Sequence, residues 1–203
     1  MRKHFYFIIS IIFWLLMAVG FSDNWLFDIG QPSNSSPKFL IHAFFAFSWF
    51  TLLVVQTGLI SKNNTKAHMQ IGIAGMIVFA GFLLSTLPMY AREYFNQGYL
   101  NPLSTMIVLQ LTFATILIVI AFAKRKTDSL THKTHMIFGS FMMIQPALDR
   151  AVGHLFGQVG IQWLIIYLIL FGLFVWYYKK IKWQIAIGFL VWTAGLTNVL
   201  MNM

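Results

Sequence analysis

The sequence predicts an all-α fold: a polytopic bundle of seven transmembrane helices forming one integral membrane domain over residues 1–203. Three observations predict it. Of 203 residues, 59% are hydrophobic and only 9% charged, where a soluble domain carries roughly 25% charge. The apolar residues come in runs near the ~20 needed to cross ~30 Å of hydrocarbon. Those runs are continuously apolar rather than alternating, which selects helices over barrel strands.

The predicted spans are about 5–21, 38–60, 68–90, 101–123, 134–157, 161–178 and 183–201. The first begins "MRKHFYFIISIIFWLLMAVG": a basic start, an apolar run, then small residues Ala18-Val19-Gly20. That pattern also resembles a signal peptide. Its length and its Phe, Ile and Trp content favour a retained helix; cleavage would leave six spans in the same orientation. The stretch 22–37, with Asp23, Asp28, two prolines and "SNSS", reads as a polar loop. Asn101-Pro102 reads as an N-cap followed by proline at the first helical position. Pro88 falls near the end of the third span, and Pro146 lies inside the fifth, where it bends a helix.

Charge gives the orientation. The net charge is +9, but no polar domain presents it to nucleic acid. The basic residues sit in short clusters between spans, as topology signals and contacts to anionic lipid heads. With the N-terminus in the cytoplasm, eleven of the fourteen Lys and Arg lie inside, and only Lys38, Arg92 and Arg150 outside. The positive-inside rule therefore predicts a multi-pass protein whose C-terminus lies on the outer side of the membrane.

Several chemistries are excluded. There is no cysteine, hence no disulfide, thiolate metal site or thiol nucleophile. Phosphate-loop and dinucleotide fingerprints are absent. The last span has no histidine, acid or lysine, which argues against a seven-helix zinc hydrolase and against a retinal Schiff base there.

What remains is polar residues on helix faces. His42, Trp49 and Gln56 are seven apart and so form one stripe along the second span. On the third, His68, Gly72, Gly75, Phe79 and Thr86 fall within about 40° of one line, with a backbone groove beside His68. On a straight fifth helix, His132, Gly139, Met143, Pro146, Arg150 and His154 share a face about 80° wide, while Asp149 and Gln145 point elsewhere. The predicted topology sorts these into two layers. An inner group gathers His68, Gly72, Gly75, His132 and His135; an outer group gathers His42, Arg150 and His154. Trp49, Gln56, Pro146 and Asp149 are structural polar or packing positions. The imidazoles of His68 and His132 are expected to converge, and His42 is expected near Arg150.

These positions carry a resemblance. The segments "HAFFAFSWFTLLVVQ" (42–56), "HMQIGIAG" (68–75) and "HKTHMIFGSFMMIQPALDR" (132–150) resemble the hallmarks of an uncharacterised family of bacterial seven-helix inner-membrane proteins. The matching residues are His42, Trp49, Gln56, His68, Gly72, Gly75, His132, Met136, Pro146 and Arg150. Where relatives tend to place basic residues after the histidine matching His68, this chain has Met69 and Gln70. The resemblance implies a family but no known activity. The layout is only loosely similar to cytochrome b561.

Three function classes follow. The first is a non-enzymatic carrier, sensor or assembly partner whose histidine-lined polar site meets a small ligand or a membrane-protein partner. The second is a redox protein binding b-type haem, through His68 with His132 or His135, and through His42 with His154. The third is a divalent metal held by His68, His132 and His135.

Overall fold

Polar residues at the end of each apolar run decide where the helices start and stop. The computed structural model describes residues 2–27, 30, 32–157, 161–177 and 182–202. Asp28 of the polar loop and the orientation signals Lys179 and Lys180 lie outside them. Among the described residues the chain is helical, without strands: α1 (Arg2–Gly20), α2 (Ser22–Trp25), a 3₁₀ turn (Pro32–Ser35), α3 (Pro37–Ser61), α4 (Thr65–Gln97), α5 (Pro102–Lys124), α6 (Ser129–Met142), α7 (Gln145–Phe156), α8 (Ile161–Tyr177) and α9 (Lys182–Met201). Among the described residues, four helical stretches are long and apolar enough to cross a membrane: Pro37–Ser61, Thr65–Gln97, Pro102–Lys124 and Trp183–Met201. His4–Gly20 and Leu164–Trp176 are shorter apolar helices.

Packing divides the chain into two compact units, Met1–Arg92 and Glu93–Met203. In the first, α1 packs on α3. Ser10 shares a 2.7 Å hydrogen bond with Thr57, and Trp14 Nε1 donates to Thr51 Oγ1 at 3.0 Å. The turn from α3 into α4 is tight because asparagine supplies it. Asn63 adopts a left-handed φ of 59°, a conformation asparagine tolerates at a helix end. The next residue, Asn64, accepts from Ala67 N–H at 3.2 Å and caps α4. α4 runs past the expected end at residue 90 to Gln97, with Pro88 inside it.

In the second unit, α5 packs against α6 and α9, and α8 against α7 and α9. The expected cap of α5 is present: Asn101 Oδ1 accepts from Ser104 N–H at 2.8 Å, with Pro102 next. Glu93 reinforces it, accepting from Asn101 N–H at 2.8 Å and from Ser104 Oγ at 2.6 Å. Asp128 caps α6 through Leu130 N–H and Thr131 N–H, at 3.1 and 3.0 Å. That cap starts the helix at Ser129, five residues before the predicted 134. Aromatic rings fill the core: Phe141 lies 5.0 Å from Phe174, and Tyr167 stacks on Trp192 at 4.6 Å.

In the predicted fifth span the bend expected at Pro146 is a full break, so the face drawn on a straight helix does not apply. The span breaks at Met143–Ile144 into α6 and α7. Pro146 explains where. It has no N–H to return to the Met142 carbonyl, and its ring crowds that carbonyl four residues back; α6 ends at Met142. The chain tightens through the break with three-residue closures, Met143 N to Ser140 O at 3.2 Å and Ile144 N to Phe141 O at 3.1 Å. Pro146 then sits in the first turn of α7, where its missing N–H matters least.

Candidate functional site

The stripe on α3 meets the stripe on α4, residue by residue, inside the first unit. His42 Nδ1 lies 3.1 Å from Thr86 Oγ1 and 3.3 Å from Ser85 Oγ. Trp49, only 4% exposed, packs on Phe79 with ring centroids 4.9 Å apart. Gln56 meets His68 and Gly72. Each seven-residue step along α3 is matched by a seven-residue step back along α4. The two helices are antiparallel neighbours in one register, and both predicted faces are the faces in contact.

Hydrogen-bond logic fixes the ring tautomers. Ser85 and Thr86 each spend their single hydroxyl hydrogen on the Phe82 carbonyl, at 2.8 and 2.6 Å. Their oxygens can then only accept, so His42 Nδ1 carries the proton and Nε2 is the acceptor nitrogen. The ring is also braced by Phe82, 5.2 Å away.

His68 has the opposite arrangement. Gly72 N–H can only donate, so the Gln56 amide oxygen faces it, at 3.0 Å. The His68 carbonyl can only accept, so the amide nitrogen faces that, at 3.1 Å. The same NH₂ group contacts His68 Nδ1. Nδ1 is therefore the acceptor, and the ring proton resides on Nε2. A methyl group built on Gly72 or Gly75 meets no atom within 4 Å, although Gly75 itself is buried.

The second unit holds the remaining candidates. His132 Nδ1 donates to the Ala121 carbonyl at 2.9 Å, tying the first turn of α6 to α5. His135 is buried at 3% exposure, with Nδ1 at 3.3 Å from Thr134 Oγ1. Gln145 is 2% exposed, and its amide oxygen accepts from Gln110 Nε2, also 2% exposed. Gln145 Nε2 in turn reaches the Met106 sulfur at 3.5 Å. Asp149 is half-buried, within electrostatic reach of the Tyr167 hydroxyl. Arg150 and His154 are exposed on α7.

One correction follows. The single face expected to join His132, Gly139, Met143, Pro146, Arg150 and His154 does not exist, because the break at Pro146 resets the helical phase. Gly139 and Met143 are buried, His132 and Pro146 half-buried, and the last two exposed. Gln145, expected to lie off that face, is a core residue of the second unit. Gln110 was missed altogether. Its signal was present, since a lone amide in an apolar span has to find a partner.

The expected layers are divided between the units. His42 and His68 belong to the first, and His132, His135, Arg150 and His154 to the second. Among the described residues no three His, Cys, Asp or Glu side chains stand together as a metal-holding group. No family model, curated protein or solved structure matches the chain.

Proposed function

We propose that this is a multi-pass membrane protein of the non-enzymatic class, and that within it the carrier reading is favoured over sensor or assembly partner. The observation that carries this is the broken helix α6–α7. Its interruption is buried, Met142 and Ile144 being fully enclosed, and beside it the uncharged Gln110–Gln145 pair sits in an apolar core. Interrupted helices with polar groups at membrane depth are how many carriers build a site that opens to alternate sides. Seven spans, a cytoplasmic N-terminus, a bacterial inner-membrane location and membership of the uncharacterised seven-helix family belong to the same proposal. The basic clusters and the α3 and α4 motifs support them.

The chain has no cysteine, so a single thiol can be placed at the break without background. Met143→Cys and Ala147→Cys, in sealed vesicles of both orientations, are probed with a membrane-impermeant thiol reagent. A carrier labels at these positions from at least one side. Protection from both sides under all conditions tested would mean a static core and end the carrier reading.

A second reading, b-type haem, draws on the tautomers. His132 donates Nδ1–H to a backbone carbonyl and His42 donates Nδ1–H to hydroxyls, the orientation that leaves Nε2 as a metal-binding nitrogen. A visible spectrum of the purified protein decides it: a Soret band is required, and its absence removes this reading.

A further inference from the structure

We infer that the interruption between α6 and α7 is a binding site for a small uncharged solute carrying a carboxamide or ureido group. The inference rests on the carrier reading and names its class of substrate.

The first step is the backbone. Pro146 has no N–H to offer the Met142 carbonyl. Among the described residues, the Met142 and Met143 carbonyls accept no backbone hydrogen bond, whereas the Ile144 carbonyl accepts from Leu148 N–H at 2.9 Å. The Gln145 and Ala147 N–H groups likewise donate to no backbone carbonyl. Helix ends ordinarily satisfy such groups with capping side chains, and Ile144, at the N-cap of α7, supplies none. The break therefore presents both acceptors and donors, inside a core where Met142 and Ile144 are fully enclosed.

The second step is the amide pair beside it. Gln110 on α5 and Gln145 are each 2% exposed. Gln110 Nε2 donates to Gln145 Oε1, and Gln145 Nε2 reaches the Met106 sulfur at 3.5 Å, a weak acceptor. These two bonds leave most of the donors and acceptors of the two amides unused.

The third step is the chemistry of the ligand. It has to accept and donate at once. A carboxamide does both in one plane, and it exchanges bonds with a glutamine amide like for like, so no hydrogen bond is lost when it enters. Ions are disfavoured. No Lys, Arg, Asp or Glu occurs between residues 102 and 123 or between 134 and 148, and an ion stripped of water without a counter-charge is costly to bury. The next charge along the chain, Asp149, acts on the Tyr167 hydroxyl of α8. Apolar solutes are rejected because they would strand the amides.

The test uses full-length protein with a single thiol at the break, Met143→Cys or Ala147→Cys, in sealed vesicles of both orientations. Labelling by the impermeant reagent is timed with three probes at equal concentration. Acetamide accepts and donates; acetate has its shape but carries a charge; N,N-dimethylacetamide keeps the carbonyl and has no N–H. Acetamide should slow labelling severalfold, and the other two should not. No slowing by acetamide, or equal slowing by either control, would overturn the substrate class. In the Gln110→Leu, Gln145→Leu double variant, which removes the amides together and strands neither, acetamide should no longer slow labelling. Protection that persists there would overturn the site. Thiols that label but are not protected remove the substrate class alone; thiols that label from neither side remove the carrier reading, and this inference with it.

Discussion

Thr86 accepts from His42 across the α3–α4 seam at 3.1 Å while donating its own hydrogen to the Phe82 carbonyl at 2.6 Å. Two helices are thereby joined by a hydroxyl that remains fully used within its own helix. Thr86→Val keeps the shape and removes the acceptor, leaving Ser85 as the only hydroxyl for His42. Hydrogen bonds between membrane helices are modest, so the expected loss is about 0.6–1.7 kcal/mol. A double-mutant cycle with His42→Phe, read by unfolding in mixed micelles, should return a coupling in that range. Additive losses would mean that the bond contributes nothing.

The Gln110–Gln145 pair should behave non-additively. Gln145→Leu alone leaves the 2% exposed Gln110 amide without its partner, and Gln110→Leu does the converse. Each should cost about 1–3 kcal/mol, the usual penalty for a stranded buried polar group, whereas changing both to leucine should recover much of it. The same unfolding assay on the three variants checks this. A double variant at the sum of the two singles contradicts the pairing.

Glycines of the first and the second unit should respond oppositely to one methyl group. At Gly139 a Cβ would stand 2.9 Å from Ile118 Cγ1 and 3.1 Å from the Ala114 backbone oxygen, and backbone cannot step aside. Gly139→Ala is expected to destabilise by about 1–3 kcal/mol through overpacking. Gly72→Ala and Gly75→Ala meet nothing within 4 Å and should be neutral or stabilising by up to about 1 kcal/mol. Melting of the three variants in detergent is the comparison; equal losses would refute the assignment of close helix approach to Gly139.

Pro146→Ala restores an N–H opposite the Met142 carbonyl. If Pro146 is what divides α6 from α7, backbone amides between residues 143 and 148 should exchange more slowly with deuterium as the helix becomes continuous. Unchanged exchange would place the cause of the break in the surrounding packing instead.

Membrane topology has its own check. The charge pattern predicts that a reporter active only in the periplasm works when fused at the C-terminus and stays silent at residue 128. The reverse result overturns the orientation.

The helical class, the apolar spans and the stripes on α3 and α4 were legible in the sequence, because they follow from local periodicity. A seven-residue repeat on a helix keeps its face whatever it packs against, so His42, Trp49 and Gln56 were aligned before any partner was known. The N-cap at Asn101 was legible for the same local reason. The fifth span was not, because the face assignment assumed one continuous helical phase. Pro146, expected to bend that helix, breaks it, and with it goes the face on which Arg150 had been placed beside His132. Glycine roles were also hidden: Gly72 and Gly139 look alike in sequence and differ only in what stands across from them.

By itself the sequence determined a helical membrane chain and the faces on which its polar residues lie. Composition and periodicity are properties of each segment alone. Only the tertiary structure decided that Gln145 pairs with Gln110, that Thr86 and Ser85 brace His42, and which ring nitrogen of His42 and His132 carries the proton. The reason is that a hydrogen bond is a relation between two segments. A buried polar side chain has to find a partner, but sequence states the need without naming the partner, and proton placement on a histidine follows only once both neighbours are in place.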